Sequence, residues 1–300
     1  NNITMKPKEH YFTLFGLITI LLLGCTPKVQ KEQDKALSIP AEYSIASNIV
    51  YKNAESVELE LDVYVPSILL GEDPWVKYTE KMKPTLVFFH GGGWVSGDRI
   101  SRSLLFLPYL EQNWCVVNVD YRLADGSRAV LDDAVADCRD ATEWVFENAA
   151  SFHIDTNKIY LSGESAGGHL ALLTGFKFRY PGHIAGVINW FGISDMEVLY
   201  HYWNDTNFFN RMTGGSGLGT IEIMKQNSPV QFIDDKQVPV ISIHGDQDYG
   251  VPMAQSETLH RMLETKGIKN KLVVIKGKKH GNFSPEDYSY AYDEIWKFVE

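Results

Sequence analysis

From Val57 to Val65 apolar and polar positions alternate with period two, Val57, Leu59, Leu61, Val63 and Val65 against Glu58, Glu60, Asp62 and Tyr64. That pattern predicts a strand with one face in the core and one face wet. The next apolar segments read differently. Thr85 to Phe89, Trp114 to Val119, Lys158 to Leu161, Ile184 to Trp190, Val238 to Ile243 and Lys271 to Ile275 are short and nearly continuously apolar, which predicts strands covered on both faces. Helical periodicity fills the intervals. It is clearest from Arg128 to Ala150, where Val130, Leu131, Ala134, Val135, Cys138, Ala141, Trp144 and Val145 form one stripe. Shorter helical stretches run over 169–178, 253–266 and 288–300. Alternating strands and helices predict the α/β class, a mostly parallel sheet wrapped by helices. Asp195 to Phe232 breaks the rhythm with Tyr200, Tyr202, Trp203, Phe208, Phe209 and the glycine-rich run 214–219. We read it as a small inserted cap, about 195–232, whose aromatics either pack together or stack on a ring of a ligand.

Ahead of the first strand, Lys6 and Lys8 precede the apolar run Tyr11 to Leu23, which ends in Leu22-Leu23-Gly24-Cys25. The run is too short to span a bilayer. Basic head, short apolar body and small residue before a cysteine resemble a bacterial lipoprotein signal. The resemblance implies a start at Met5, cleavage before Cys25, lipidation of Cys25, and export to a membrane-anchored site in the periplasm or on the cell surface; a plain secretory signal is the alternative. Thr26 to Pro40 is polar and reads as a tether. The expected division is therefore a signal peptide at 1–24, a tether at 25–40 and one folded domain at 41–300.

Composition narrows the partners. The 300 residues are 44% hydrophobic and 22% charged, enough apolar material to exclude intrinsic disorder. A formal net charge of -10 without any Lys/Arg-rich run excludes nucleic acid as the expected partner. Cys25, Cys115 and Cys138 contain no CxxC pair, so no metal or other cofactor is expected. Cys115 and Cys138 fall on buried positions and read as reduced packing residues.

Chemistry concentrates where strands end. Lys158 to Leu161 is followed by Gly163-Glu164-Ser165-Ala166-Gly167-Gly168 and a helical stretch, the strand-turn-helix setting of a GxSxG nucleophile elbow centred on Ser165. Thr85 to Phe89 runs into His90-Gly91-Gly92-Gly93-Trp94, where consecutive glycines let backbone N–H groups approach a substrate oxygen. A serine hydroxyl needs a base, and the base needs a carboxylate to orient it. Of the histidines after Ser165, His169 and His260 lie in helical stretches, His183 precedes a strand and His201 lies in the cap. His244 closes a strand, and His280 follows the last one in an open loop. His280 is the candidate base. The loop His244-Gly245-Asp246-Gln247-Asp248-Tyr249-Gly250-Val251-Pro252 offers Asp246 and Asp248, and Asp195 is a third carboxylate. Asp248 is favoured; the other two are expected to cap turns or helices.

GESAGG, HGGGW, Val119-Asp120-Tyr121-Arg122-Leu123 and HGDQDYGVP together resemble α/β-hydrolase esterases of the hormone-sensitive-lipase-like and acetyl-xylan/feruloyl-esterase kind, over residues 55 to 300. The resemblance implies an α/β-hydrolase fold on an eight-stranded sheet, with the acid in a Gly-x-x-Asp-x-x-Val-Pro pattern matched by Gly245, Asp248, Val251 and Pro252. It also implies oxyanion donors at the N–H groups of Gly91, Gly92 and Ala166. Lipase-like relatives continue DYRL with Ala-Pro-Glu and carry a long helical cap before the first strand; here Ala124-Asp125-Gly126 follows. That favours the small-ester or carbohydrate-ester branch. The expected function is a serine carboxylic-ester hydrolase working through an acyl-enzyme on a small-molecule or carbohydrate ester. An amide hydrolase on the same triad and a catalytically silent binding lipoprotein are the alternatives.

Overall fold

The computed structural model describes residues 43–54, 57–66, 82–101, 103–180 and 182–300. The signal-like segment, Cys25 and the polar tether lie outside the described residues. Among the described residues, eight strands form one sheet: β1 (Tyr43–Ala54), β2 (Val57–Pro66), β3 (Lys83–Phe89), β4 (Cys115–Val119), β5 (Ile154–Glu164), β6 (Ile184–Trp190), β7 (Val240–Gly245) and β8 (Asn270–Ile275). Their order is β1-β2-β4-β3-β5-β6-β7-β8. β1 pairs antiparallel with β2, β2 antiparallel with β4, and every later pair is parallel. This is the mostly parallel sheet that the continuous apolar runs predict.

β1 has no counterpart in the sequence reading, for a physical reason. It is an edge strand carrying Ser44, Asn48, Lys52 and Asn53, and most of its positions are exposed or half-buried, so no apolar run marks it. β2 departs from its expected wet face as well. Asp62 is buried there, because Arg99 Nε lies 3.1 Å from its carboxylate and the same guanidinium pairs with Glu60 and Asp120.

Side chains alternate across the parallel strands and build two cores. One face collects Val87, Phe89, Val117, Leu161 and Val187 under α2 (Leu131–Asn148) and α3 (Ala166–Lys177). The other face packs Phe88, Val116, Ile188 and Ile243 against α1 (Leu107–Glu111) and α8 (Pro285–Val299). Every residue of α3 from Ala166 to Phe176 is buried, which makes it the central helix. Cys115 and Cys138 are buried free thiols.

Between β6 and β7 the chain forms α4 (Met196–Trp203), α5 (Thr206–Thr213) and α6 (Leu218–Gln226), then a tight turn over Pro229–Phe232. Gly214, at φ 67, ends α5. The aromatics here pack on one another: Tyr200 and Trp203 both lie against Phe209, and Phe208 meets Phe209 edge to face. Packing accounts for these four; Tyr202 is exposed. α7 (Ala254–Thr265) follows β7.

Candidate active site

β3 and β5 are parallel neighbours with Phe89 opposite Gly163, so the two candidate loops leave the sheet side by side. Ser165 turns the chain from β5 into α3 at φ 53, ψ -117, a conformation costing a non-glycine residue about 1–3 kcal/mol. The turn is held by Ser165 N–H donating to Trp190 O at 2.9 Å and by His169 N–H donating to Ser165 O at 3.0 Å. It is also very tight. A Cβ at Gly163 would lie 2.5 Å from Phe89 O, and one at Gly167 would lie 2.5 Å from His90 O. Ala166 is the first residue of α3, where backbone N–H groups have no acceptor inside the helix.

The loop after β3 is pressed against the residue before the serine: a Cβ at Gly91 would stand 3.1 Å from the Glu164 carboxylate. Gly92 (φ 120) and Gly93 (φ 60) take conformations that favour glycine. Val95 and Ser96 N–H groups donate to Gly92 O. Beneath the loop, the His90 ring stacks on Tyr121 at 4.2 Å, and Tyr121 OH donates to His90 O at 2.7 Å. Gly91, Gly92 and Ala166 thus belong to the two turns that flank Ser165.

His280 reaches the serine from the loop after β8. Its Nε2 is 2.9 Å from Ser165 Oγ and its Nδ1 is 2.6 Å from Asp248 Oδ2. Nδ1–H donates to the carboxylate, which leaves Nε2 bare to accept from the serine hydroxyl. Phe191 stands edge-on to the imidazole at 4.8 Å. Asp248 Oδ1 accepts from Gly250 N–H at 2.8 Å and Val251 N–H at 2.9 Å, and the side chain has no exposed surface. Burial by itself would raise the Asp248 carboxyl; the N–H donors of His244 and His280 and the charge of His280 outweigh it and hold the group well below the usual carboxylate range. The other two candidate carboxylates lie elsewhere. Asp246 accepts from Gly277 N–H at 2.6 Å, and Asp195 caps α4 by accepting from Val198 N–H at 3.0 Å.

Four contacts have no signal in the sequence. His169 Nδ1 accepts from Trp94 Nε1–H at 3.1 Å, and its Nε2–H donates to Asn227 O at 2.7 Å. This imidazole ties the glycine loop to the cap through α3, and full burial drives it down to about 4, so it stays neutral. Trp203 Nε1–H donates to Gly250 O at 2.7 Å, and Tyr202 OH to Tyr249 O at 3.1 Å. The cap therefore grips the loop that carries Asp248. Each is one bond between segments far apart in the chain, and neither periodicity nor motif spacing records such bonds. Among the described residues, no group of three or more His, Cys, Asp or Glu side chains is placed to hold a metal ion.

The chain is similar to several esterases. It is 28% identical over 246 residues to a probable isoprenylcysteine alpha-carbonyl methylesterase of Arabidopsis thaliana, covering 76% of this chain and 55% of that one. It is 28% identical over 214 residues to esterase LipC of Mycobacterium tuberculosis, covering 64% and 53%. The chain spans about half the length of these curated relatives. Among solved structures it resembles a truncated carbohydrate esterase from gut microbiota, with TM-score 0.70, 22% identity, and 85% and 96% of the two chains covered. It also resembles a thermophilic esterase of Thermogutta terrifontis, with TM-score 0.65, 25% identity, and 87% and 92% covered. These likenesses and the eight-stranded sheet make the fold an α/β-hydrolase fold. The BD-FAE family model matches residues 73–263, well over half of the chain, which therefore belongs to the BD-FAE family.

Proposed function

We propose that this chain is a carboxylic ester hydrolase that works through an acyl-enzyme, with Ser165 as nucleophile, His280 as base and Asp248 as the carboxylate that orients it. The observation that carries the reading is the unbroken line from Ser165 Oγ to His280 Nε2 at 2.9 Å and from His280 Nδ1 to Asp248 Oδ2 at 2.6 Å. His280 takes the hydroxyl proton as Oγ bonds to the ester carbon. The carbonyl oxygen becomes an anion and is stabilised by N–H groups of Gly91, Gly92 and Ala166, donors that need no reorganisation during the step. Collapse breaks the bond to the alcohol oxygen, which leaves with the proton from His280. Water then gives a proton to His280 as its oxygen bonds to the acyl carbon, and collapse breaks the bond to Oγ, which takes that proton back from His280 as the acid leaves.

The substrate is a small acyl ester of a bulky alcohol, an acetylated or feruloylated carbohydrate in particular. The name of one structural relative, a carbohydrate esterase, supports this. The net charge of -10 disfavours strongly anionic substrates. Lipidation of Cys25 would hold the enzyme at a membrane outside the cytoplasm, since buried acyl chains contribute about 0.8 kcal/mol per CH₂; palmitate labelling of the full chain, lost in Cys25→Ser, tests the anchor. The test of function is kcat/KM on aryl esters from acetyl to decanoyl, acetylated xylo-oligosaccharides, feruloyl esters and peptides. Acetyl to butyryl esters and at least one acylated sugar should be turned over best. A maximum at octanoyl or longer, or hydrolysis of peptides alone, would overturn the substrate class.

A further inference from the structure

His244 is the penultimate residue of β7 with a fully buried side chain, and both ring nitrogens are engaged. Nδ1 lies 2.8 Å from Ser256 Oγ on α7, while Nε2 lies 2.8 Å from Val251 O and 3.4 Å from Asp248 Oδ2. A carbonyl and a carboxylate oxygen can only accept, so Nε2 carries the ring proton and the Ser256 hydroxyl donates to bare Nδ1. Val251 is therefore held from both sides: its O by His244, its N–H by Asp248 Oδ1 at 2.9 Å. His244 thus reaches both oxygens of the acid. It fixes the backbone that feeds Oδ1, and its N–H edge faces Oδ2, the oxygen that binds His280.

We propose that His244 is a positioning residue for Asp248, a second imidazole that pins the acid loop and shares Oδ2 with His280. The proposal rests on reading Ser165, His280 and Asp248 as the triad. Asp248 has no exposed side-chain surface, so water cannot replace a donor taken from it. Without Nε2–H, the negative charge on Oδ2 is compensated by His280 alone. Protonated His280 is then stabilised more, and the base is lost at a higher pH. The loosened loop also costs turnover, because His280 loses its fixed line to Ser165. A side chain that merely filled space would do neither.

The neighbouring charged and titratable groups are engaged elsewhere or lie at the surface. On the same loop Asp246 is bound to Gly277 N–H and lies 3.8 Å from Lys276, and Tyr249 is exposed. From the loop after β8 come His280 itself and Lys278, which pairs with Asp287; Lys279 is exposed. From α7, Gln255 binds Ser194 and Asp195, and Glu257 is exposed. From the cap, Tyr202 and Trp203 donate to the Tyr249 and Gly250 carbonyls, and Asp195 caps α4.

The test is kcat, KM and the pH profile of kcat/KM for His244→Phe, His244→Gln and Ser256→Ala, with Ser165→Ala as the control on the triad. His244→Phe keeps a planar aromatic ring, slightly larger than the imidazole, and removes both nitrogens; kcat should fall about tenfold or more with KM within about twofold, and the acid limb should move to higher pH. His244→Gln keeps an N–H donor near Val251 O and should recover most of both. Ser256→Ala removes the hydroxyl that fixes Nδ1, so the ring can turn its Nε2–H away from Oδ2, and its losses should fall between wild type and His244→Phe. If His244→Phe does not fold, Ser256→Ala decides: an acid limb moved upward supports the proposal and an unmoved limb overturns it. A fall in kcat with an unmoved limb, or equal losses in the Phe and Gln variants, also overturns it and makes His244 a packing residue. Activity surviving in Ser165→Ala overturns the triad reading instead.

Discussion

The nucleophile half of the site is held by close contact and backbone hydrogen bonds, whereas the acid–base half is held by side-chain hydrogen bonds. Around Ser165 there is no room for one more carbon at Gly163 or Gly167 without collision with the carbonyls that end β3. Around Asp248 and His280 the positions depend on side-chain bonds from Trp203, Tyr202 and His244. The first half is built from two chain segments, each local in sequence. The second draws in β7, the loop after β8, α7 and the cap. A change in the cap should therefore reach the chemistry mainly through the acid, and only weakly through the glycine loop after β3.

The largest effect expected is that of Ser165→Ala, a loss of at least about 10³ in kcat with the fold retained, because nucleophile and base act as one unit. Circular dichroism together with kcat checks it; a well-folded variant with full activity would remove the mechanism. Within the acid–base half, Asp248→Asn should cost about 10³–10⁴ in kcat by leaving His280 in the wrong tautomer. Asp195→Asn, which alters only the cap of α4, should cost under about 2 kcal/mol of stability and little turnover. A larger kcat loss in Asp195→Asn than in Asp248→Asn would reverse the assignment of the acid.

Legibility in the sequence follows the same division. GESAGG and HGGGW could be read because steric crowding demands glycine, and glycine at fixed offsets beside a strand is a local signal. The parallel strands could be read because burial on both faces leaves continuous apolar runs. β1 could not, since its polar edge character erases the pattern, and neither could the burial of Asp62, which depends on Arg99 arriving from another loop. His169, whose place in a helical stretch speaks against a role as base, is a fully buried link to Trp94 and Asn227. Trp203 could be seen only as one aromatic among several. Long-range single bonds write nothing periodic into the chain.

Trp203→Phe sharpens the comparison directly. It keeps the ring packing against Phe209 and removes the N–H that donates to Gly250 O. The lost bond is worth about 0.5–1.5 kcal/mol, and where that cost falls on turnover, kcat should drop roughly two- to twelvefold. KM should change less. A variant with unchanged kcat would mean that the acid loop stands without the cap.

The smallest effect on turnover is expected at His169, the polar link on the otherwise contact-held side. His169→Gln should leave kcat near pH 8 within about twofold, because the glycine loop is fixed by backbone crowding. Its signature should appear in stability instead. Burial lowers this imidazole from 6.5 to about 4, so the unfolded chain takes up a proton that the folded chain refuses. The stability associated with neutral His169 is complete above about pH 6.5 and is lost as pH falls toward 4, by on the order of 3 kcal/mol. Thermal unfolding of the wild type should therefore weaken more steeply from pH 7 to pH 4.5 than that of His169→Gln, and the gap between them should narrow as pH falls. Parallel curves would show that His169 does not carry this pH dependence. A kcat loss as large as that of Trp203→Phe would show that the nucleophile half also depends on its hydrogen bonds.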